Sequence, residues 1–463
     1  MSWIVVGAGP AGIGAAISLA KRGYNVDVYE RMADLDQSDE DSYPIGLNPR
    51  GMKALDCIDE TGTLRESVTK ETPIDAWNIY SGLKRVAMFP SGTTVGATRG
   101  GVTYCIFKEA STKYSDKIHF HFEYKLLAVD YSNKSLRFEV KQKEEITIDA
   151  SNSRIIAADG VWSKLRIGFE KENPERFVSS KVPWECSFRL LFSTEDANTT
   201  LAPREHHIFS SGIYVAVVKS QLQKWVVAVQ ISENSPHRDM LKSDIPSKEN
   251  IQALKEYVKE NAPLAFDMIP DEEFKQFFTR RTFSGAVICT SKLNIGEWIL
   301  FLGDSAHSVY PAIGEGINCA LEDVQLFDQC FDKSELDSLF EYFHSIRYED
   351  IQAVTEYAAH LVRTSNATAR SAKISRVAST ILRQVGKKLG LCGPIWNDKS
   401  FGAVATQVEP YHELLNTWKR QEVVIRPLAW MIGKSADIVI RVKFLLLLLL
   451  PVAIVAFYVI LWR

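Results

Sequence analysis

The sequence predicts an α/β protein: a Rossmann-like nucleotide-binding domain, an inserted β-sheet domain, a run of C-terminal helices and one transmembrane helix. Three observations predict it. A short apolar strand at 3–6 runs directly into Gly7-Ala8-Gly9-Pro10-Ala11-Gly12. The stretch 170–284 is rich in alternating segments with polar breaks, whereas the regions on either side read as strand and helix in turn. Residues 444–462 form an uncharged apolar run that includes six consecutive leucines.

The elements follow in order. Residues 3–30 read as strand, glycine turn, helix and strand, and 45–70 as mixed and mostly helical. Strands are expected over 77–89, a helix over 108–114, a strand over 118–122 and a strand pair over 126–140. A buried strand and turn fill 154–166. A helix at 247–260 interrupts the β-rich region. Another buried strand, 298–302, precedes a helix at 316–331, and 335–440 reads as largely helical. With 463 residues, the chain exceeds the ~250–300 at which one core stops growing. It divides into a nucleotide-binding part at 1–169, of which 72–100 contributes to the substrate side, and a β-rich domain at 170–284. A second nucleotide-binding part follows at 285–345, then a helical region at 346–440 and an anchor at 441–463.

Composition excludes some functions. A net charge of −3 gives no basis for nucleic-acid binding. The seven cysteines are odd in number and scattered, without CxxC or Cys/His spacing, so neither a disulfide framework nor a metal site is expected. The strand at 3–6, running straight into glycines, predicts no secretory leader ahead of it.

The motifs carry the chemistry. In the first, Gly7 permits a tight turn, Gly9 lets backbone approach a pyrophosphate at a helix N-terminus, and Gly12 allows close helix–strand packing. Strand two ends at Glu30, where a carboxylate can accept from a ribose hydroxyl. Asp159-Gly160 closes a later strand and continues to Ser163 and Arg166. Gly303-Asp304-Ser305-Ala306-His307 follows a third strand and runs through Pro311 and Gly314-Glu315-Gly316 into a helix bearing Glu322 and Asp323. A carboxylate at a strand end can hold a ribityl hydroxyl, and a glycine-rich helix start can face an electron-rich ring.

On these motifs the sequence resembles the class A FAD-dependent monooxygenases of the para-hydroxybenzoate hydroxylase type, and within them is most similar to the kynurenine 3-monooxygenases, whose Pro-Ala-Ile-Gly-Glu-Gly-Ile-Asn stretch it matches at 311–318 with Glu315 in place of glutamine. The resemblance implies a Rossmann-like FAD-binding domain. It implies that Gly7, Gly9, Pro10, Ala11, Gly12, Glu30 and Arg31 hold the ADP half of FAD. Asp159 would lie between flavin and nicotinamide, and Asp304 on the ribityl chain. Gly314, Glu315, Gly316, Ile317 and Asn318 would face the pyrimidine edge, with Arg50 and Lys108 also beside the cofactor. It further implies NADPH or NADH as reductant, O₂ as co-substrate, and hydroxylation through a flavin hydroperoxide rather than by a protein nucleophile. His307 reads as a packed residue beside the cofactor loop.

Departures from that pattern bear on substrate. Where the kynurenine enzymes place an arginine and a tyrosine for a carboxylate, this sequence has Trp77 and Ser91. Their late-helix asparagine falls at Leu361, and an arginine near the flavin falls at Lys108. Trp77, Leu361 and Pro311 therefore predict an apolar pocket and an aromatic or lipophilic substrate, with Arg85 the other cation within reach. Kynurenine hydroxylation itself and reduction or epoxidation of a prenyl lipid are the competing activities. Arg441 and Lys443 ahead of the apolar run predict a catalytic part on the cytosolic side of a mitochondrial outer or endoplasmic reticulum membrane.

Overall fold

The computed structural model describes residues 2–36, 42–70, 74–92, 94–141, 144–219, 224–365, scattered positions between 371 and 382, and 408–461, the last as backbone alone beyond Ile438. The chain forms two compact units, one of residues 1–362 with 405–408, the other of 363–404 with 409–463.

The first unit is built on a six-stranded sheet. Its strands are β1 (Ser2–Val6), β2 (Val26–Tyr29), β7 (Ile118–His121), β11 (Ser153–Ala157), β18 (Asn294–Ile295) and β19 (Ile299–Phe301), in the order β18-β19-β11-β1-β2-β7. All pairings but β18–β19 are parallel. A parallel sheet is covered on both faces, and the continuous apolar runs at 3–6 and 299–301 suit that position. Helix α1 (Pro10–Lys21) covers one face with alanine, isoleucine and leucine, nearly all buried. Helices α2 (Pro49–Ile58), α3 (Thr63–Thr69), α4 (Arg99–Lys113) and α10 (Gly316–Cys330) pack around it. A three-stranded meander, β8 (Tyr124–Asp130), β9 (Ser135–Val140) and β10 (Glu144–Asp149), carries the chain from β7 to β11. Helix α5 (Lys164–Glu172) follows β11.

The β-rich region forms a second six-stranded sheet. Its strands are β13 (Cys186–Phe192), β14 (Glu205–Phe209), β15 (Ile213–Lys219) and β16 (Lys224–Ser232), joined by β4 (Ala76–Ser81) and β5 (Lys84–Pro90), in the order β13-β16-β15-β14-β4-β5. The parallel β14–β4 pairing brings the two sequence regions together. Strand alternation divides this sheet into two faces. The outer face, with Tyr80, Phe209, Val215, Trp225 and Val227, packs on helices α6 (Arg238–Lys242), α7 (Lys248–Asn261), α8 (Pro263–Phe266) and α9 (Asp271–Gln276). The inner face, with Phe188, Leu190, Phe192 and Val226, packs on Tyr43 and Phe283. Tyr43 precedes the ribbon β3 (Pro44–Leu47) and β6 (Val95–Thr98). A small sheet, β12 (Ser179–Pro183), β17 (Ala286–Thr290) and β20 (His307–Ser308), returns the chain to the first domain.

The expected elements are present with shifted ends. Helix α4 begins at Arg99, well before the expected 108, because Thr98 caps it through Gly101 N. Helix α11 (Leu339–Ser365) and α12 (Tyr411–Leu461) account for the expected helical region among the described residues. Among those residues no helix is long and apolar enough to cross a membrane. The span expected at 444–462 lies outside the residues whose side chains are described.

Candidate active site

Three motifs far apart in the sequence meet at the carboxyl ends of β1, β11 and β19. Gly7 has φ +101, and a Cβ there would lie 2.3 Å from the Ala158 carbonyl oxygen. A Cβ on Gly12 would lie 2.0 Å from the carbonyl oxygen of Gly7. No other residue fits this turn. A Cβ on Gly303 would press on Ala11 and Ala320 at 3.2 and 3.4 Å, so the third motif abuts both α1 and α10. Arg166 Nη1 donates to the Ser305 carbonyl at 2.6 Å, and Ser305 Oγ donates to Ala157 O at 2.6 Å, which ties the second motif to the third.

The space these motifs face is open at one point. Gly9 is the N-cap of α1, no side chain caps the helix, and nothing lies within 4 Å of a Cβ built on it. The amide groups and positive dipole end of a 12-residue helix therefore face free space. Glu30 lies beside this turn, accepting from Ala8 N at 2.7 Å and Met32 N at 3.0 Å. Arg31, next to it, is exposed. Asp159 Oδ2 accepts from Lys164 N at 2.7 Å, while its Oδ1 is enclosed without a partner among the described residues. Burial pushes this carboxyl above the usual range, against the hydrogen bonds from Ser163 and Lys164. Asp304 is solvent-exposed although His307, Arg99 and Arg166 all lie close enough to act on its charge, as on the floor of a cleft.

Pro311–Ile313 forms a single 3-10 turn that ends at Gly314, in the left-handed region, and Glu315 opens α10. Glu315 is fully buried and accepts from Asn48 Nδ2 at 2.7 Å. Asn318 Oδ1 accepts from Asn48 N at 3.0 Å, and its Nδ2 donates to Gly46 O at 3.0 Å and Gly314 O at 2.9 Å. The Glu315 and Asn318 side chains thus lock α10 to the β3–α2 segment, while Gly314 and the backbone at the helix start remain at the surface of the loop.

Beneath the loop is a buried charged network that spacing did not reveal. His307 Nε2 lies 2.6 Å from Asp323 Oδ2, which also accepts from Gly303 N at 2.8 Å. Arg347, wholly buried, donates to Asp323 at 2.9 Å and Glu322 at 2.7 Å. Glu322 in turn accepts from Arg50 at 2.6 Å, so Arg50 is held in this network. Burial would lower His307, but the Asp323 carboxylate and Cys319 outweigh it and hold the imidazole well above its ordinary value. The ligand atoms of His307, Cys319 and Asp323 lie within 4.8 Å of one another. The Arg347 guanidinium, 3.2 Å from Cys319 Sγ and bonded to Asp323, takes the place a cation would need.

Lys108 is exposed, with its ammonium 4.9 Å from the centre of the Tyr104 ring. Of the cations that act on Asp304, Arg99 stands at the start of the same helix. Of the residues expected at the substrate, Trp77 is half-buried on the inner sheet face, Pro311 leads the loop, and Leu361 is half-buried near the end of α11. Ser91 donates to Ile74 O. Arg85 lies on the other face from Trp77: a bulge pairs it with Tyr80, and its Nη1 is 3.4 Å from Asn78 Oδ1.

Residues 1–327 match the FAD binding domain family, and the chain belongs to it. It is an oxidoreductase of the FAD-dependent monooxygenase class. A kynurenine 3-monooxygenase of Legionella pneumophila (strain Lens) is 25% identical over 366 residues, covering 77% of this chain and 78% of the relative. The fold matches a variant of 2-methyl-3-hydroxypyridine-5-carboxylic acid oxygenase with TM-score 0.59 at 16% identity, over 81% of this chain and 95% of that one. It also matches CtdE, solved with FAD and a substrate, with TM-score 0.58 at 16% identity, over 79% and 89% of the two chains.

Proposed function

We propose that the protein uses NADPH and O₂ to hydroxylate an aromatic or lipophilic small molecule, with FAD held at the convergence of the three motifs. The observation that carries this is the uncapped N-terminus of α1 at Gly9, open to free space and flanked by Glu30, Asp159 and Asp304 at the carboxyl ends of parallel strands. Open α/β sheets bind their ligands there. The residues fit the group. The α1 amides suit a pyrophosphate, the carboxylates suit ribose and ribityl hydroxyls, and the unpartnered Asp159 Oδ1 needs a donor.

Bound there, the flavin would supply reduction of O₂ and transfer of one oxygen atom. The chain's part is to bind and orient. The Gly7–Gly12 turn and Glu30 would hold the adenosine end, Asp304 the ribityl chain, and the Gly314–Gly316 backbone the ring. The inner face of the second sheet would present the substrate and keep water out. Residues 444–462 would anchor the protein in a membrane, from which a lipophilic substrate could enter. Carbonate extraction checks this: release of the full-length protein removes the anchor from the proposal.

Gly9→Asp tests the cofactor site. The position has φ −77 and ψ 176 with room for a side chain, and aspartate is a favourable N-cap worth up to ~1 kcal/mol. The variant should melt no lower than unmodified apoprotein and yet lose FAD at least tenfold, because its carboxylate meets the pyrophosphate. Normal FAD content in this variant moves the site elsewhere. NADPH oxidation with oxygen uptake, and product heavier by one oxygen rather than by two hydrogens, tests the reaction.

A further inference from the structure

On β4, β14 and β15 as far as Ala216, the inner face of the second sheet carries one polar feature among apolar neighbours. Tyr214 Oη lies 2.5 Å from His206 Nδ1, and the Trp77 ring packs edge-on against His206 with centroids 4.9 Å apart. Their placement follows from register. Ile208 pairs with Tyr214 and Tyr214 with Ala228, so His206, two residues before Ile208, shares their face. Phe209 and Val215, on the alternate positions, belong to the outer core.

This face is joined to the cofactor loop through few steps. Trp77 Cζ2 is 3.8 Å from a Cβ built on Gly46, and Gly46 O accepts from Asn318 Nδ2 in the first turn of α10.

We propose that His206, held by Tyr214, is the residue that selects the substrate, and that it selects a neutral aromatic compound bearing a carbonyl oxygen. This rests on the reading of the protein as an FAD-dependent hydroxylase. A phenol hydroxyl donates to an imidazole nitrogen, and Nδ1 is the acceptor Tyr214 meets. The proton of the neutral ring is then on Nε2, which among the described residues has no other partner and is the donor offered to a ligand.

The pair is uncharged. Burial drives His206 down to about 3 and pushes the Tyr214 phenol far above its ordinary value, and no carboxylate backs either. His206 is 2% exposed. The inner-facing residues of β4 and β14, and of β15 as far as Ala216, carry no charge. Arg85 faces the other way. A carboxylate brought to His206 would lose its water without a counter-charge from the strands beside it, whereas a carbonyl would satisfy a buried donor.

The test uses the full chain loaded with FAD and reads flavin difference spectra, which need no turnover. Three probes differ in one group each: ortho-ethylaniline, ortho-aminoacetophenone with the added carbonyl, and L-kynurenine with the added amino acid. The ketone should bind about tenfold tighter than either of the others, the scale of one buried hydrogen bond. In Tyr214→Phe and in His206→Phe that advantage should vanish, while FAD content and the Kd of ortho-ethylaniline stay unchanged. His206→Gln, which keeps a donor, should retain part of it. Equal binding of the ketone and ortho-ethylaniline, an advantage that survives both phenylalanine variants, or tighter binding of L-kynurenine overturns the proposal. So does an FAD-loaded protein whose spectrum none of the probes moves. If both variants lose FAD, the three-probe order on the unmodified chain decides. Failure of the parent reading looks different, as a chain that holds no FAD at all, and it removes this inference too.

Discussion

The two walls of the candidate site are polar in different ways. Under the glycine loop, the polar groups are charged and closed on themselves: Arg50, Glu322, Arg347, Asp323 and His307 form one buried network. Around Trp77 on the inner sheet face they are neutral, a His206–Tyr214 pair with Trp77 against it. Each wall holds a buried histidine, and the two respond oppositely, His307 upward beside Asp323 and His206 downward without a carboxylate. The difference teaches that burial alone does not fix the state of a titratable group. Burial and the nearest charge fix it together. A loop that must present backbone to a fixed cofactor suits a locked ionic foundation. Neutrality around Trp77 is what the proposed lipophilic substrate would require.

The largest effect should come from breaking the charged wall. Arg347→Met leaves Asp323 and Glu322 short of their shared buried cation. Removing one partner from such a network costs ~3–5 kcal/mol. Denaturant melts should show that loss, and FAD content should fall with it, because Asp323 also holds Gly303 N. A change of less than about 1 kcal/mol would mean the network is not what supports the loop.

The pH dependence sharpens the contrast. His206 has a folded value of about 3 against an ordinary 6.5, so the unfolded chain binds its proton more readily. Its contribution is fully present above 6.5 and is lost as pH falls toward 3, a loss of ~2 kcal/mol at pH 5. His307 has the opposite sign: its contribution is complete below 6.5 and is lost as pH rises through its elevated folded value. Replacing His206 with Phe should flatten the acid limb of the stability profile, and replacing His307 with Asn the alkaline limb. If His206→Phe leaves the acid limb as steep as before, the imidazole is not buried in its neutral form.

The smallest effect separates two cations on one helix. Arg99→Ala should weaken FAD binding several-fold by removing one of the cationic charges that act on Asp304, whereas Lys108→Ala, at an exposed position, should change stability by no more than ~0.5 kcal/mol and leave FAD affinity unmoved. Equal losses in both would restore Lys108 to the cofactor. The FAD affinity of each can be read by titrating apoprotein with flavin fluorescence.

Much of this was legible in the sequence. The Gly7–Gly12 turn, Glu30, Asp159-Gly160 and Gly303-Asp304 were visible because each is a local device, a strand end followed by a turn only certain residues can make. That they meet in space followed from the parallel order they imply. Arg99 carries no such mark, since the sequence predicts its helix only from 108. Nine residues at ~1.5 Å each put that reading ~14 Å along the axis from the residue beside Asp304. Arg347 gave no signal, since nothing in a helical stretch marks which arginine turns into the core.

The sequence by itself determined the class of fold, the glycine and acid turns of the candidate site and the absence of charge at Trp77, because these depend on residue type within a few neighbours. Only the tertiary structure decided which face each side chain takes. In a strand, a shift of one residue moves a side chain to the opposite face. The bulge between Ile79 and Tyr80 makes such a shift, setting Arg85 beside Asn78 and away from Trp77. The His206–Tyr214 pair likewise exists through the register of β14 on β15, and the network at Arg347 through the packing of α11 on α10, contacts between residues that no local pattern relates.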